Sequence, residues 1–272
     1  IGDVRDLPRL IKAMEDVDIV YHAAALKHVP VVEYNPFEAI KTNVLGSQNV
    51  IDACLHENIE TVVCVGTDKA VSPLNTYGAT KLLMEKLFVT ASNYTNPERH
   101  KTKFIAIRYG NVLGSSGSVV PTLLKQIESG RNITITDPNM TRFNITMNQA
   151  LDFIIRSSKK GNGGEVFIPK LKAYSLGILK EAILEVLEKD VKTELISVRP
   201  GEKYHESLIS SEEIRNTFED KDDYVILEDS LQNNIKTKKS TLTNQYSSDV
   251  VECLTKKELK KILIEEKLVS TK

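Results

Sequence analysis

The sequence predicts an α/β fold built on an open parallel sheet, and three consecutive features carry that expectation. Residues 61–65 are a β-branched run with the length and content of a buried strand. Ser72, Pro73 and Asn75 then mark a turn, and residues 77–89 repeat apolar side chains at helical spacing. A strand end, a loop and a helix start in that order form the place where an open parallel α/β sheet presents reactive groups to a ligand.

A chain of 272 residues is enough for one large α/β domain or two small ones. Its 41% hydrophobic and 27% charged residues match a soluble globular protein. A net charge of −1 gives no electrostatic drive toward nucleic acid or an anionic membrane, and no apolar run approaches a membrane span. Cys54, Cys64 and Cys253 are scattered and lack metal-ligand spacing, so no metal site is expected. Cys54 and Cys64 are expected to pack in a core in a reducing, cytoplasmic compartment. The chain opens on Ile1 and then Gly2-Asp3-Val4-Arg5-Asp6, a strand-end-to-loop signature without an initiator methionine or a signal-peptide pattern. A segment is therefore expected to have been left off ahead of it.

Taken in order, residues 18–25 read as a buried strand ending in Ala23, Ala24 and Ala25. Three small residues let a flat ligand approach the backbone, or serve tight helix–sheet packing; the pattern leaves both open. His22 reads as a hydrogen-bonded core histidine, and Lys27 and His28 follow in the loop. Asn35 and Pro36 resemble an N-cap and first helical position, opening a helix to about His56. Asn43 falls mid-helix, where asparagine is mildly unfavourable, and a side-chain bond to neighbouring backbone is its default role. The helix at 77 is expected to run to about residue 94, with a strand at 103–109 after it. The glycines from Gly110 to Gly117 do not form Gly-x-Gly-x-x-Gly, so this loop is not the phosphate fingerprint of a first βα turn. In it, Asn111 can offer an amide to a ligand.

A helix from Val120 to Gly130, a strand at 133–135 and a helix at 148–158 come next. Arg142, between apolar residues ahead of that last helix, is expected to be buried and to need an anionic partner. A strand at 165–168, a helix at 176–188 and a strand at 193–198 lead to Arg199-Pro-Gly-Glu202. From about residue 229 to 249 the composition turns polar and predicts an extended or mobile segment. Thr255 and Glu258 have capping-box spacing and open a last helix.

Tyr77 and Lys81 stand four residues apart, about a turn along one helix face. A phenol ionises near pH 10, and a nearby ammonium favours the phenolate, which would equip Tyr77 as a general base. Tyr-x-x-x-Lys alone is a weak motif. Its placement after a strand, with Thr67-Asp68-Lys69 ten residues upstream, makes it far more specific, and Asp68 and Lys69 offer a second acid/base pair.

Together His22-Ala-Ala-Ala-Leu-Lys-His28, Thr67-Asp-Lys-Ala70, Tyr77-x-x-x-Lys81, Arg108-Tyr-Gly-Asn-Val112, Met140-Thr-Arg-Phe143 and Arg199-Pro-Gly-Glu-Lys203 resemble the extended short-chain dehydrogenase/reductases that modify nucleotide sugars. Within them the sequence is similar to the polysaccharide-biosynthesis branch of UDP-N-acetylglucosamine 4,6-dehydratases, over residues 1 to about 228. The resemblance implies a Rossmann-like doubly wound sheet, here incomplete at its N-terminus, with a smaller C-terminal α/β substrate-binding part. It implies a cofactor-binding core at 1–115 with 141–168 returning to it, a nucleotide-sugar part at 116–140 and 169–229, and a polar tail at 230–272. It implies NADP, with NAD as the alternative, held by Asp3, Val4, Ala23, Ala24, Ala25, Lys27, Asn43, Tyr77 and Lys81. UDP-N-acetylglucosamine would meet Lys27, Asn111, Arg142 and Arg199, with Glu202 orienting an arginine or bonding a ribose hydroxyl. A homo-oligomer is expected, without nucleic acid or membrane.

The family's glycine-rich first βα unit has no counterpart in this sequence, and the residues that choose NADP over NAD lie there. Most sugar-nucleotide 4,6-dehydratases carry Asp-Glu where this chain has Asp68-Lys69. Tyrosine at 77, where membrane-anchored retaining relatives often have methionine, resembles the soluble members that invert carbon 5. The resemblance thus implies Tyr77 as base at the 4-hydroxyl, Thr67 on the same oxygen, and Asp68 and Lys69 as the acid/base pair of the elimination; one split of roles, with the other left open, has Lys69 as base at carbon 5 and Asp68 as acid for the departing 6-hydroxyl. Two alternatives stay open: a UDP-sugar 4-epimerase on the same scaffold, and a degenerate, non-catalytic module.

Overall fold

The computed structural model describes residues 1–94, 100–227 and 237–269. The chain divides into two compact units. The first comprises Ile1–Tyr109, Asp152–Lys170 and Leu208–Gln245, and the second Gly110–Leu151, Leu171–Ser207 and Tyr246–Lys272.

Unit 1 is built on the predicted parallel sheet. β1 (Ile19–His22), β2 (Thr61–Val65) and β3 (Lys103–Ile107) pair in parallel, and Val166–Pro169 continues the sheet parallel to β3. Val62, Val63, Cys64 and residues 104–107 are fully buried, as expected where both faces of a parallel sheet are covered. Beyond Val166–Pro169 the sheet turns antiparallel through Asp223–Ile226, Thr217–Glu219 and Lys238–Lys239. These strands of two to four residues, set among charged side chains, carry no clear alternation in the sequence. The architecture is Rossmann-like α/β.

Several boundaries differ from expectation. β1 stops at His22, so Ala23, Ala24 and Ala25 lie in an irregular segment after the strand. β3 ends at Ile107 and the strand near 193 at Leu195. Residues 141–145 form a strand, not merely an approach to a helix. The single helix expected from Pro36 to His56 is instead Pro36–Ala39, a π-helical stretch Ile40–Leu45, and Gly46–His56. Asn35 makes no capping bond; its amide donates to the Val31 carbonyl at 3.0 Å.

Unit 2 has a core that includes Leu123, Ile133, Tyr174, Ile183, Leu259 and Leu263. Its helices Val119–Glu128, Leu176–Val186 and Lys256–Glu265 supply most of that core. Ile133–Ile135 pairs in parallel with Thr193–Leu195, and Thr141–Ile145 lies between Asn111–Val112, parallel, and Ala173–Ser175, antiparallel. The capping box forms as read: Thr255 and Glu258 exchange side-chain-to-backbone bonds at 3.3 and 2.8 Å. Of the polar segment, 230–236 falls outside the described residues. Past it, Tyr246–Ser247 is extended, as a strand, but both residues are buried, where the polar composition predicted little burial.

Candidate active site

In unit 1 the chain leaves β2 through Gly66 and Thr67 into a single 3₁₀ turn, Asp68–Ala70, and Asn75 then caps the helix Thr76–Ala91 by accepting from the Gly78 amide at 2.8 Å. Two glycines permit the close approach. A Cβ at Gly78 would lie 2.2 Å from the Lys69 carbonyl oxygen, and one at Gly66 would lie 2.4 Å from the Ile107 carbonyl oxygen. The helix that carries Tyr77 is thereby pressed against the turn that carries Asp68 and Lys69.

Asp68 is completely buried. Its Oδ1 accepts from the Thr67 hydroxyl and from Lys69 Nζ, both at 3.0 Å, while Oδ2 is buried without a protein partner. Burial pushes the Tyr77 phenol up from its ordinary value; the Lys69 ammonium and a hydrogen bond with Thr67 oppose that push. Thr67 has one hydroxyl proton for two acidic neighbours, so it can favour either the Asp68 carboxylate or a Tyr77 phenolate. Lys81 behaves otherwise than its spacing suggested. Its buried ammonium donates to the Val65 carbonyl at 2.7 Å and contacts Met84 Sδ at 3.0 Å, and the cation acting on Tyr77 is Lys69. Burial lowers the pKa of Lys81.

The residues expected near a dinucleotide are placed as follows. Asn43, in the π-helical stretch, accepts from the Leu26 amide at 2.7 Å and donates to the Leu26 carbonyl and Thr80 Oγ1, both at 3.0 Å. It pins the loop after β1 to the helix of Tyr77. Ala23, Ala24 and Lys27 on that loop are exposed, and Ala25 is half-buried. Val4 packs over Gly46, where a Cβ would lie 2.7 Å from its side chain, and its carbonyl accepts from Asn49 at 3.0 Å. Asp3 is ion-paired with Arg5 at 2.7 Å, which holds its carboxyl down at about 2. The small side chains of residues 23–25, beside a strand end, leave room for a flat ligand to approach the backbone.

His22 is the core histidine the sequence suggested. It is 4% exposed, bonds Ser47 Oγ at 2.9 Å and stacks on Phe88, and burial with the Lys81 charge takes its pKa down to about 4. Arg108, whose role the sequence did not reveal, is fully buried between Glu85 and Glu213, with bonds of 2.6 to 3.0 Å to the two carboxylates and one of 3.1 Å to the Leu208 carbonyl.

In unit 2, Arg142 is buried and has the anionic partner it needed. Its Nη2 meets Glu202 at 3.0 Å, and its Nη1 donates to the Thr141 and Tyr204 carbonyls at 2.8 and 3.1 Å. Glu202 also accepts from the Arg199 amide at 3.4 Å, and Arg199 is exposed. Asn111 opens the strand Asn111–Val112, and its Oδ1 is buried without a partner. Among the described residues no cluster of His, Cys, Asp and Glu could hold a metal ion, and no helix is long and apolar enough to cross a membrane.

A strand-end turn with a buried carboxylate, an ammonium and a phenol, on a Rossmann-like sheet, defines the type of centre that short-chain dehydrogenase/reductases use. Residues 1–228 match the polysaccharide biosynthesis protein family, and the chain belongs to it. It is 48% identical over 227 residues to the UDP-N-acetylglucosamine 4,6-dehydratase (inverting) of Campylobacter jejuni serotype O:23/36, covering 83% of this chain and 66% of that protein, just under two thirds of its length. It is 38% identical over 270 residues to the UDP-glucose 4-epimerase of Rickettsia massiliae, covering 97% of this chain and 79% of that one. The X-ray structure of Pen from Bacillus thuringiensis superposes with a TM-score of 0.91 at 40% identity, covering 99% of this chain and 82% of that one.

Proposed function

We propose that the protein removes water from UDP-N-acetylglucosamine, giving a UDP-4-keto-6-deoxy-hexosamine inverted at carbon 5. The observation that carries the reading is the Asp68–Lys69 pair in the turn beside Tyr77, with one buried Asp68 oxygen unpartnered. Similarity to an inverting dehydratase supports it. A nicotinamide dinucleotide, NADP with NAD as the alternative, would accept hydride from carbon 4 and return it to carbon 6. Asp3, Val4, the Ala23–Ala25 backbone, Lys27 and Asn43 would hold it, and Lys81 has a remaining N–H for a ribose hydroxyl.

Tyr77, as the phenolate, takes the proton of the 4-hydroxyl while hydride leaves carbon 4, and becomes a neutral phenol; Thr67 turns its own proton from Asp68 toward the sugar 4-oxygen. The 4-ketone acidifies the carbon 5 proton, which Lys69 removes. Asp68 gives a proton to the departing 6-hydroxyl through the oxygen no protein group occupies. Elimination needs Lys69 neutral and Asp68 protonated, and the 3.0 Å contact between them gives the proton a direct path from the ammonium to the carboxylate. Reprotonation of carbon 5 from the opposite face inverts it. Arg199, which is exposed, takes the diphosphate, while Arg142, paired with Glu202, holds the Arg199–Glu202 turn in place beside it. The reaction belongs to surface-glycan or flagellin sugar synthesis, such as the route to pseudaminic acid, in a cytoplasmic homo-oligomer.

The epimerase reading has the Rickettsia relative behind it. An epimerase returns hydride to carbon 4 and has no use for an acid/base pair that expels the 6-hydroxyl. Replacing Lys69 by Met should abolish the product lighter by one water. Normal turnover to that product in the variant contradicts the proposal, and a product of unchanged mass from the unaltered protein favours the epimerase.

A further inference from the structure

Arg142 and Asn144 are two residues apart in the strand Thr141–Ile145 and so share one of its faces. Parallel pairing sets Asn111 opposite Asn144, and residues in register on neighbouring strands project to the same side, about 4.8 Å apart. Arg142 has spent its guanidinium on Glu202 and on the Thr141 and Tyr204 carbonyls. The unmet hydrogen-bonding capacity of this face is therefore concentrated at the two asparagines. Asn144 is 7% exposed, and its Oδ1, like that of Asn111, is buried without a partner.

A buried acceptor left unpaired costs about 1–3 kcal/mol, and folds rarely leave two side by side. Nothing local demands asparagine at 144. The backbone N–H there donates to the Lys172 carbonyl at 2.9 Å without help from the side chain, and an apolar side chain of equal size would occupy the place without that cost. Two carboxamides held in register on paired strands, with their acceptors unfilled, are preorganised for a ligand that brings its own donors.

We propose that Asn144 and Asn111 form a paired-carboxamide subsite for the O–H and N–H donors of a hexose ring. The proposal rests on the nucleotide-sugar reading above and adds the residue that reads the sugar. The unfilled atoms call for a donor. Phosphate oxygens and the uracil carbonyls only accept, and would leave both amide oxygens unpaired; the uracil N3–H and the ribose hydroxyls also donate, and binding of UDP alone tells them from the hexose. A sugar hydroxyl donates to a carboxamide oxygen and accepts from a carboxamide N–H, and an acetamido N–H donates alone.

The test is calorimetric binding of UDP, UDP-glucose and UDP-N-acetylglucosamine to the full-length protein and to its Asn144→Leu and Asn144→Asp variants, with thermal unfolding of each. Asn144→Leu should weaken UDP-N-acetylglucosamine about tenfold and leave UDP unchanged, since one hydrogen bond to the sugar is lost. Its melting temperature should stay level or rise, because an unpaired polar group has been removed from a buried place. Asn144→Asp keeps the acceptor and should hold the sugar within a few-fold of the unaltered protein. An equal loss for UDP-glucose assigns the donor to a hydroxyl, and a loss confined to UDP-N-acetylglucosamine assigns it to the acetamido N–H. Equal weakening of UDP, unchanged binding of both sugars, or a melting temperature lowered by several degrees in Asn144→Leu overturns the subsite. An unaltered protein that binds neither UDP nor either nucleotide sugar overturns the nucleotide-sugar reading itself, and the subsite with it.

Discussion

At Asp68 the side chain has no exposure, one oxygen bridging Thr67 and Lys69 and the other unpartnered. A surface ion pair would look different: both partners would be solvated and neither would lack a bond. Tyr77, Thr67, Asp68 and Lys69 were legible because the residues that meet are close in sequence, joined by one turn. The anionic partner of Arg142 was foreseeable as a need, since a buried guanidinium requires one, although Glu202 lies sixty residues away. The behaviour of Lys81 was not legible. Four-residue spacing fixes a shared helix face but not which acceptor a long side chain reaches, and the Val65 carbonyl at the end of β2 competes for it. Replacing Tyr77 by Phe should lower kcat by at least about 100-fold, the usual span for a lost general base, with the fold unchanged by circular dichroism. His22 makes a separate prediction about stability. Its folded pKa of about 4 lies below the unfolded 6.5, so its contribution is full above pH 6.5 and is lost as the pH falls toward 4. That loss amounts to roughly 3 kcal/mol. Urea unfolding between pH 7 and 4 should become flatter in a His22→Phe variant, and an unchanged slope would refute the assignment.

Among the elements, the turn Asp68–Ala70 and the helix Thr76–Ala91 act as one piece because glycine at 78 lets them touch. Gly78→Ala would drive a methyl group against the Lys69 carbonyl and displace the turn. A stability loss of about 1–3 kcal/mol is expected, with kcat falling more than KM changes, because Lys69 moves with its backbone. Full kcat in that variant would disconnect the packing from the chemistry. Arg108 joins Glu85 of the same helix to Glu213. Arg108→Met leaves Glu85 buried without its countercharge and should cost about 3–5 kcal/mol in urea unfolding, and adding Glu85→Leu should recover part of it. Long apolar runs and marked caps made the parallel strands, the helix at 76 and the last helix readable. The π-helical stretch was hidden because Asn43 draws its partners from Leu26 and Thr80, neither of which is local. The antiparallel strands at 217–226 were hidden because their pairing, and not their composition, makes them strands.

At the scale of the whole molecule, the residues proposed for chemistry and those proposed for recognition differ in unit membership. Thr67, Asp68, Lys69, Tyr77 and Lys81 belong to the first, and Asn111, Arg142, Arg199 and Glu202 to the second. The parallel sheet could be read from the sequence, whereas the return of residues 208–227 to the first unit depends on strand pairing over long separations. The measurement that bears most directly on the proposed reaction is incubation of the full-length protein with UDP-N-acetylglucosamine in heavy water, followed by mass spectrometry and proton NMR. Dehydration by Asp68 and Lys69 with inversion predicts a product lacking one water, carrying solvent deuterium at carbon 5, with the ring couplings of the inverted sugar. A product of unchanged mass altered at carbon 4, or a dehydrated one with retained configuration, would contradict it.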